Sequence, residues 1–101
     1  MRMIMHVYMP VDVFNAAVRD GSVGGKMQRI LAKQKPEAAY FTEYHGQRTG
    51  ILVIDLKQAS DIPGFAEPWF LTFNAKVEFH PAMTAQDLAA AGLDALGKEW
   101  A

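Results

Sequence analysis

Histidine is the side chain that changes charge near neutral pH, and this chain carries three, His6, His45 and His80. Their spacing matches no metal-ligand motif, so their meaning depends on what stands beside them. His80 alternates with Glu78 and Lys76, and His6 alternates with Ile4 and Tyr8. If these two stretches are neighbouring strands, His6 approaches Glu78 and His80. Two imidazoles and a carboxylate can pass protons at neutral pH, or hold a divalent metal. Of the two, proton transfer ranks above metal binding, with His6, Glu78 and His80 as candidate catalytic residues acting without a cofactor. No metal is expected, because nothing in the spacing is diagnostic. The competing account is a structural hydrogen-bond network near a strand end.

Other motifs carry less. Gly21-Ser22-Val23-Gly24-Gly25-Lys26 invites comparison with a phosphate loop. That loop needs glycine where Asp20 stands, Ser or Thr where Met27 stands, and a preceding strand. A joint between two helices is the better account. Glu43 and Arg48 suit an exposed cross-strand pair. Glu67 suits either a cavity mouth or water, and Trp69, Phe70 and Trp100 suit core or interface anchors. The absence of cysteine excludes disulfides and thiolate catalysis.

The elements that must position these residues follow from periodicity. Met3–Met9 alternates and ends at Pro10, as a first strand should. Phe14, Ala17 and Val18 fall at helical spacing, predicting a short helix over Val11–Arg19 that Asp20-Gly21 stops. Ser22 then suits an N-cap for a second helical piece, whose stripe is Val23, Met27, Ile30 and Leu31 and whose end is Pro36. Ala38–His45 and Arg48–Leu56 form a hairpin around Gly46. Lys57 to Phe70 carries Pro63, Gly64 and Pro68, predicting a short, broken helix from about Ser60 to Phe70 that Pro68 kinks or restarts. Asn74–His80 alternates as a fourth strand. Thr84-Ala85-Gln86-Asp87 resembles a capping box, opening a last helix with Leu88, Ala91, Gly92, Ala95, Leu96 and Trp100 on its apolar stripe.

This order predicts an α+β fold: a ferredoxin-like βαββαβ arrangement with an extra C-terminal helix, and a four-stranded antiparallel sheet with helices on one face. Alternation then assigns the faces. Ala75, Val77 and Phe79 turn to the helices, as do Met3, Met5, Val7 and Met9. Lys76, Glu78 and His80 turn to the open side with Ile4, His6 and Tyr8. A two-residue hairpin turn puts Phe41, Leu52 and Ile54 together and Tyr40, Thr42, Ile51, Val53 and Asp55 on the other face; a three-residue turn reverses that pairing. Tyr8, Tyr40, Thr42, Ile51, Val53 and Asp55 are therefore the candidate ligand-binding residues, in a partly solvated cavity on the open face. The run Ile51-Leu52-Val53-Ile54 does not alternate, so both faces need cover, and a second subunit is the economical cover for the open one.

Composition bounds the rest. A chain of 101 residues supports one domain, 1–101, burying roughly 60–70% of its unfolded surface. A net charge of −1 offers no electrostatic grip on nucleic acid. RNA-recognition domains with this strand order place stacking aromatics on the third strand, whereas Arg48–Asp55 has none. No run approaches the roughly 20 apolar residues of a membrane span, and Met1–His6 is too short and polar for a signal peptide. A soluble, cytoplasmic protein is the expectation.

The chain resembles the dimeric α+β barrel superfamily, which includes muconolactone isomerase-like and antibiotic-biosynthesis-monooxygenase-like proteins. The resemblance covers nearly the whole chain. It rests on Ala39-Tyr40-Phe41-Thr42-Glu43, on Gly50-Ile51-Leu52-Val53-Ile54-Asp55, and on Ala75 to Met83 before the last helix. It implies a homodimer whose sheets pair into a barrel, and a cofactor-free reaction on a small, often aromatic molecule in each subunit's cavity. A non-catalytic interaction dimer is the alternative. The motifs are architectural, and the split first helix with its Gly24-Gly25 joint departs from the single long helix usual in these proteins.

Overall fold

The computed structural model describes residues 1–101. In chain order the elements are β1 Arg2–Tyr8, α1 Val11–Arg19, α2 Val23–Gln34, β2 Ala38–Tyr44, β3 Gln47–Asp55, a 3₁₀ turn at Ala59–Asp61, α3 Ile62–Phe73, β4 Lys76–Pro81, α4 Ala85–Ala90 and α5 Leu93–Glu99. All strand pairs are antiparallel and the sheet runs β2-β3-β1-β4. This is an α+β fold with one four-stranded sheet, compatible with a ferredoxin-like one.

The hairpin turn fixes the register. His45 and Gly46 both take positive φ, 53° and 74°, the conformation of a two-residue turn whose twist suits the flanking strands. Tyr44 therefore pairs with Gln47, Thr42 with Thr49 and Tyr40 with Ile51. The face assignment made from alternation follows. Met3, Met5, Val7, Leu52 and Ile54 are buried beneath the helices with Trp69 and Phe73. Phe41 shares that face but lies beyond the helices' reach, half exposed over Gly50.

Helix α3 differs from expectation: it runs to Phe73, and Pro68 sits inside it. Proline removes the N–H that would bond the carbonyl of Gly64, four residues back. The buried side chain of Gln34 answers that loss. Its Nε2 donates to the Phe65 carbonyl at 2.9 Å and toward the Gly64 carbonyl at 3.4 Å, while its Oε1 accepts from Trp69 Nε1 at 3.1 Å. One amide thus ties α2 to α3 and bonds the helix carbonyls ahead of the proline.

Three local expectations need correction. Ser22 precedes α2 but makes no side-chain cap, and its Oγ is buried without a partner. Glu43 and Arg48 stand opposite each other but do not pair. Glu43 instead accepts from the Gly46 N–H at 2.9 Å, and Arg48 donates to Asn15 Oδ1 and lies 4.5 Å from the centre of the Phe14 ring. The last helix is two helices, broken where Gly92 takes φ 76°. Its capping box is present, with Thr84 Oγ and Asp87 exchanging bonds with each other's backbone. The apolar stripe does not dock on its own helical layer: Trp100 is 80% exposed. No helix is long and apolar enough to cross a membrane.

The Gln34 clamp yields a direct test. Gln34→Leu leaves Trp69 Nε1 without a partner inside the core and takes the side-chain donor from the Gly64 and Phe65 carbonyls, and a buried orphan costs about 1–3 kcal/mol. Urea unfolding should therefore show a loss of roughly 2 kcal/mol or more with an unchanged slope. A loss indistinguishable from that of an exposed α2 substitution would contradict the clamp.

Candidate functional site

Pairing of β1 with β4 sets His6 opposite Glu78, Ile4 opposite His80 and Tyr8 opposite Lys76. On the other side His6 faces Ile51 and Tyr8 faces Thr49. Strand pleating turns these side chains to the open face. There His6, Tyr8, Glu78 and His80 meet in a concavity of about 260 Å³, walled by Thr42, Glu43, Tyr44, Thr49 and Ile51.

The hydrogen bonds converge on one atom. Tyr8 Oη donates to Glu78 Oε1 at 3.0 Å, and His80 Nε2 lies 3.2 Å from the same oxygen. His6 Nδ1 is 3.0 Å from Tyr8 Oη. A phenol has one proton to give. Because Tyr8 gives it to Glu78, His6 must donate from Nδ1, which leaves its Nε2 as a free acceptor. His6 Nδ1 is also 4.0 Å from Glu78 Oε1, and the His6 and His80 rings lie 4.8 Å apart.

These contacts explain the local acidities. The His80 hydrogen bond, then that of Tyr8, holds the Glu78 carboxyl below the usual carboxylate range. Partial removal from water, reinforced by the bond to Glu78, pushes the Tyr8 phenol upward. The site thus keeps a carboxylate charged beside a phenol kept neutral. The ligating atoms of His6, Glu78 and His80 lie within 4.8 Å of one another, so these three could also hold a divalent cation.

Of the residues expected at the site, His6, Glu78, His80, Tyr8, Thr42 and Ile51 come together. Tyr40, Val53 and Asp55 share the face but lie outside the concavity. Tyr40 is 67% exposed, and Asp55 holds the N-terminal amine at 3.2 Å. Tyr44 and Thr49 were missed, although each has the parity of its strand's open-face residues. The Tyr44 ring lies 5.3 Å from that of Tyr8 and extends the aromatic wall.

A second concavity, about 290 Å³, lies toward α1 and α2 beneath the end of the hairpin, lined by Met9, Phe14, Met27, Phe41, Thr42, Arg48 and Thr49. No two titratable groups converge there. The joint between α1 and α2 is a helix-to-helix turn, closed by the Ser22 N–H donating to Asp20 Oδ1 at 2.8 Å, and it follows no strand. Compared with protein-family models and with curated proteins, the chain matches none. The class defined by fold and site is therefore an α+β protein with a polar cluster on the exposed face of its sheet.

The shifted groups give a pH signature. The Glu78 carboxyl titrates below its ordinary 4.5 in the fold, so its contribution to stability is complete above that value and fades as pH falls through the folded value. The melting-temperature gap between wild type and Glu78→Gln should narrow as pH falls below 4.5. Tyr8 ionises above its ordinary 10.0 in the fold, so its effect has the opposite sense, with stability falling as pH rises past 10.0. The phenolate absorbance assigned by Tyr8→Phe should move to lower pH in Glu78→Gln. An unmoved phenolate would break the proposed link.

Proposed function

We propose that this chain is a ferredoxin-like βαββαβ subunit with appended helices that pairs into a two-chain α+β barrel. It binds a small molecule in the concavity around His6 and exchanges a proton with it. The observation that carries this reading is the chain of hydrogen bonds from His6 through Tyr8 to Glu78, closed by His80. One end is a free imidazole nitrogen. The other is a carboxylate held charged.

In this reading His6 Nε2 accepts a proton from the bound molecule. The resulting imidazolium donates from Nδ1 to Tyr8 Oη, and the Glu78 charge 4.0 Å away compensates it. His80 keeps Glu78 in place. Tyr8 and Tyr44 offer aromatic faces, which suits a planar, aromatic ligand. Ile4, Ile51 and Val53 lie between the polar cluster and the far end of the open face and are only part-buried. An apolar patch beside a polar one is what sheet-to-sheet pairing around a cavity requires. A non-catalytic dimer is the second reading, favoured by the exposure of about half of the Glu78 and His80 side chains.

Titrating small aromatic acids against the His6 ring resonances separates the two. The proton-transfer reading expects at least one of them to move those resonances saturably, with the effect lost in Tyr8→Phe. If none moves them and His6→Ala only lowers the melting temperature, the cluster is structural. Ile51→Asp with Val53→Asp should convert a dimer to monomer in light scattering, and a stable dimer after both changes would refute pairing through this face.

A further inference from the structure

The C-terminal segment contributes nothing to the core of its own chain. Every residue from Ala85 onward is exposed, including Leu88, Leu93, Leu96 and Trp100. Neither α4 nor α5 packs extensively on another element. The segment is rooted at the edge of the sheet, where the Ala82 N–H bonds the Arg2 carbonyl at 3.1 Å. The molecule is correspondingly long, 59 × 28 × 19 Å with a radius of gyration of 17.0 Å, against about 13 Å for a compact chain of this length.

Helices of six and seven residues do not persist in water on their own. A capping box adds only about 1 kcal/mol. The remaining stabilisation has to come from burying the Leu93, Leu96 and Trp100 face, which repeats at helical spacing.

We propose that this arm is received by a second copy of the chain, in the groove between that copy's α2 and α3, each copy giving one arm and accepting one. That groove holds about 840 Å³, against about 290 and 260 Å³ for the two concavities described above. It carries the small residue Ala32 and the almost fully exposed Leu71. Lys26, Arg29 and Lys33 line it, and α2 holds no acidic residue; Glu67 is the groove's one acid. The arm has the opposite balance, Asp87, Asp94 and Glu99 against Lys98. Apolar content and charge therefore complement each other between two surfaces of one chain that do not pack together within it. Reciprocal exchange about a two-fold axis covers both at once and leaves no open end. The exchange is independent of the ligand, and with pairing through the sheet it shares one two-fold axis and one dimer.

Sedimentation velocity on the full chain tests this. Wild type should be a dimer. A chain ending at Met83 should associate at least tenfold more weakly while keeping the circular dichroism of the sheet. Lys26→Glu/Arg29→Glu/Lys33→Glu should weaken association to a similar degree in low salt. Adding Asp87→Lys/Asp94→Lys/Glu99→Lys to that variant should restore it. A monomeric wild type would overturn the proposal and leave the arm for another protein. A dimer indifferent to both truncation and groove reversal would overturn it too, and if that dimer is lost in Ile51→Asp/Val53→Asp, pairing through the sheet stands without the arm. Sensitivity to truncation alone would overturn the assignment to the groove.

Discussion

A sheet whose helices lie on one side must divide its residues strictly by parity, and the rest of this molecule depends on that division. The His45-Gly46 turn sets it. With both φ values positive, β2 and β3 align so that Leu52 and Ile54 turn inward and Ile51 and Val53 outward. A slip of one residue between them would turn β2 over against β3, which β1 holds in place, burying Thr42 and carrying Phe41 to the open face. It would also take the lining of the concavity away from His6. Core and site are therefore two consequences of one register.

The helical layer holds its place by a different device. Pro68 in α3 would ordinarily weaken the helix over Trp69, the largest fully buried side chain. Gln34 compensates from α2 by bonding both the backbone before the proline and the indole after it. A buried amide is costly when unsatisfied and specific when satisfied. Here it fixes how α2 and α3 sit, and with them the groove on their outer side.

Much of this was legible in the chain. Alternation in Met3–Met9 and Asn74–His80 brought His6, Glu78 and His80 to one face before any coordinates, and Thr84 to Asp87 announced the start of the last helical segment. What escaped has physical reasons. The continuation of α3 through Pro68 is accompanied by bonds from Gln34, far away in sequence, which no local pattern announces. Glu43 and Arg48 stand in register yet part company, because the Gly46 N–H and the Phe14–Asn15 surface offer each a better partner. The stripe ending in Trp100 was readable as apolar, but periodicity reveals a face without revealing which surface covers it. Tyr44 and Thr49 obeyed the same parity rule as Tyr40 and Thr42, and nothing in their residue types set them apart from those.

The central claim is that Tyr8 bridges His6 to a charged Glu78 and so dictates which nitrogen of His6 bears the proton. Long-range nitrogen–proton correlation spectra of the imidazoles at neutral pH test it most directly. The bridge requires the neutral His6 ring to carry its proton on Nδ1, with that preference relaxing in Tyr8→Phe and Glu78→Gln. A wild-type His6 protonated on Nε2, or a tautomer unaffected by either substitution, would contradict it.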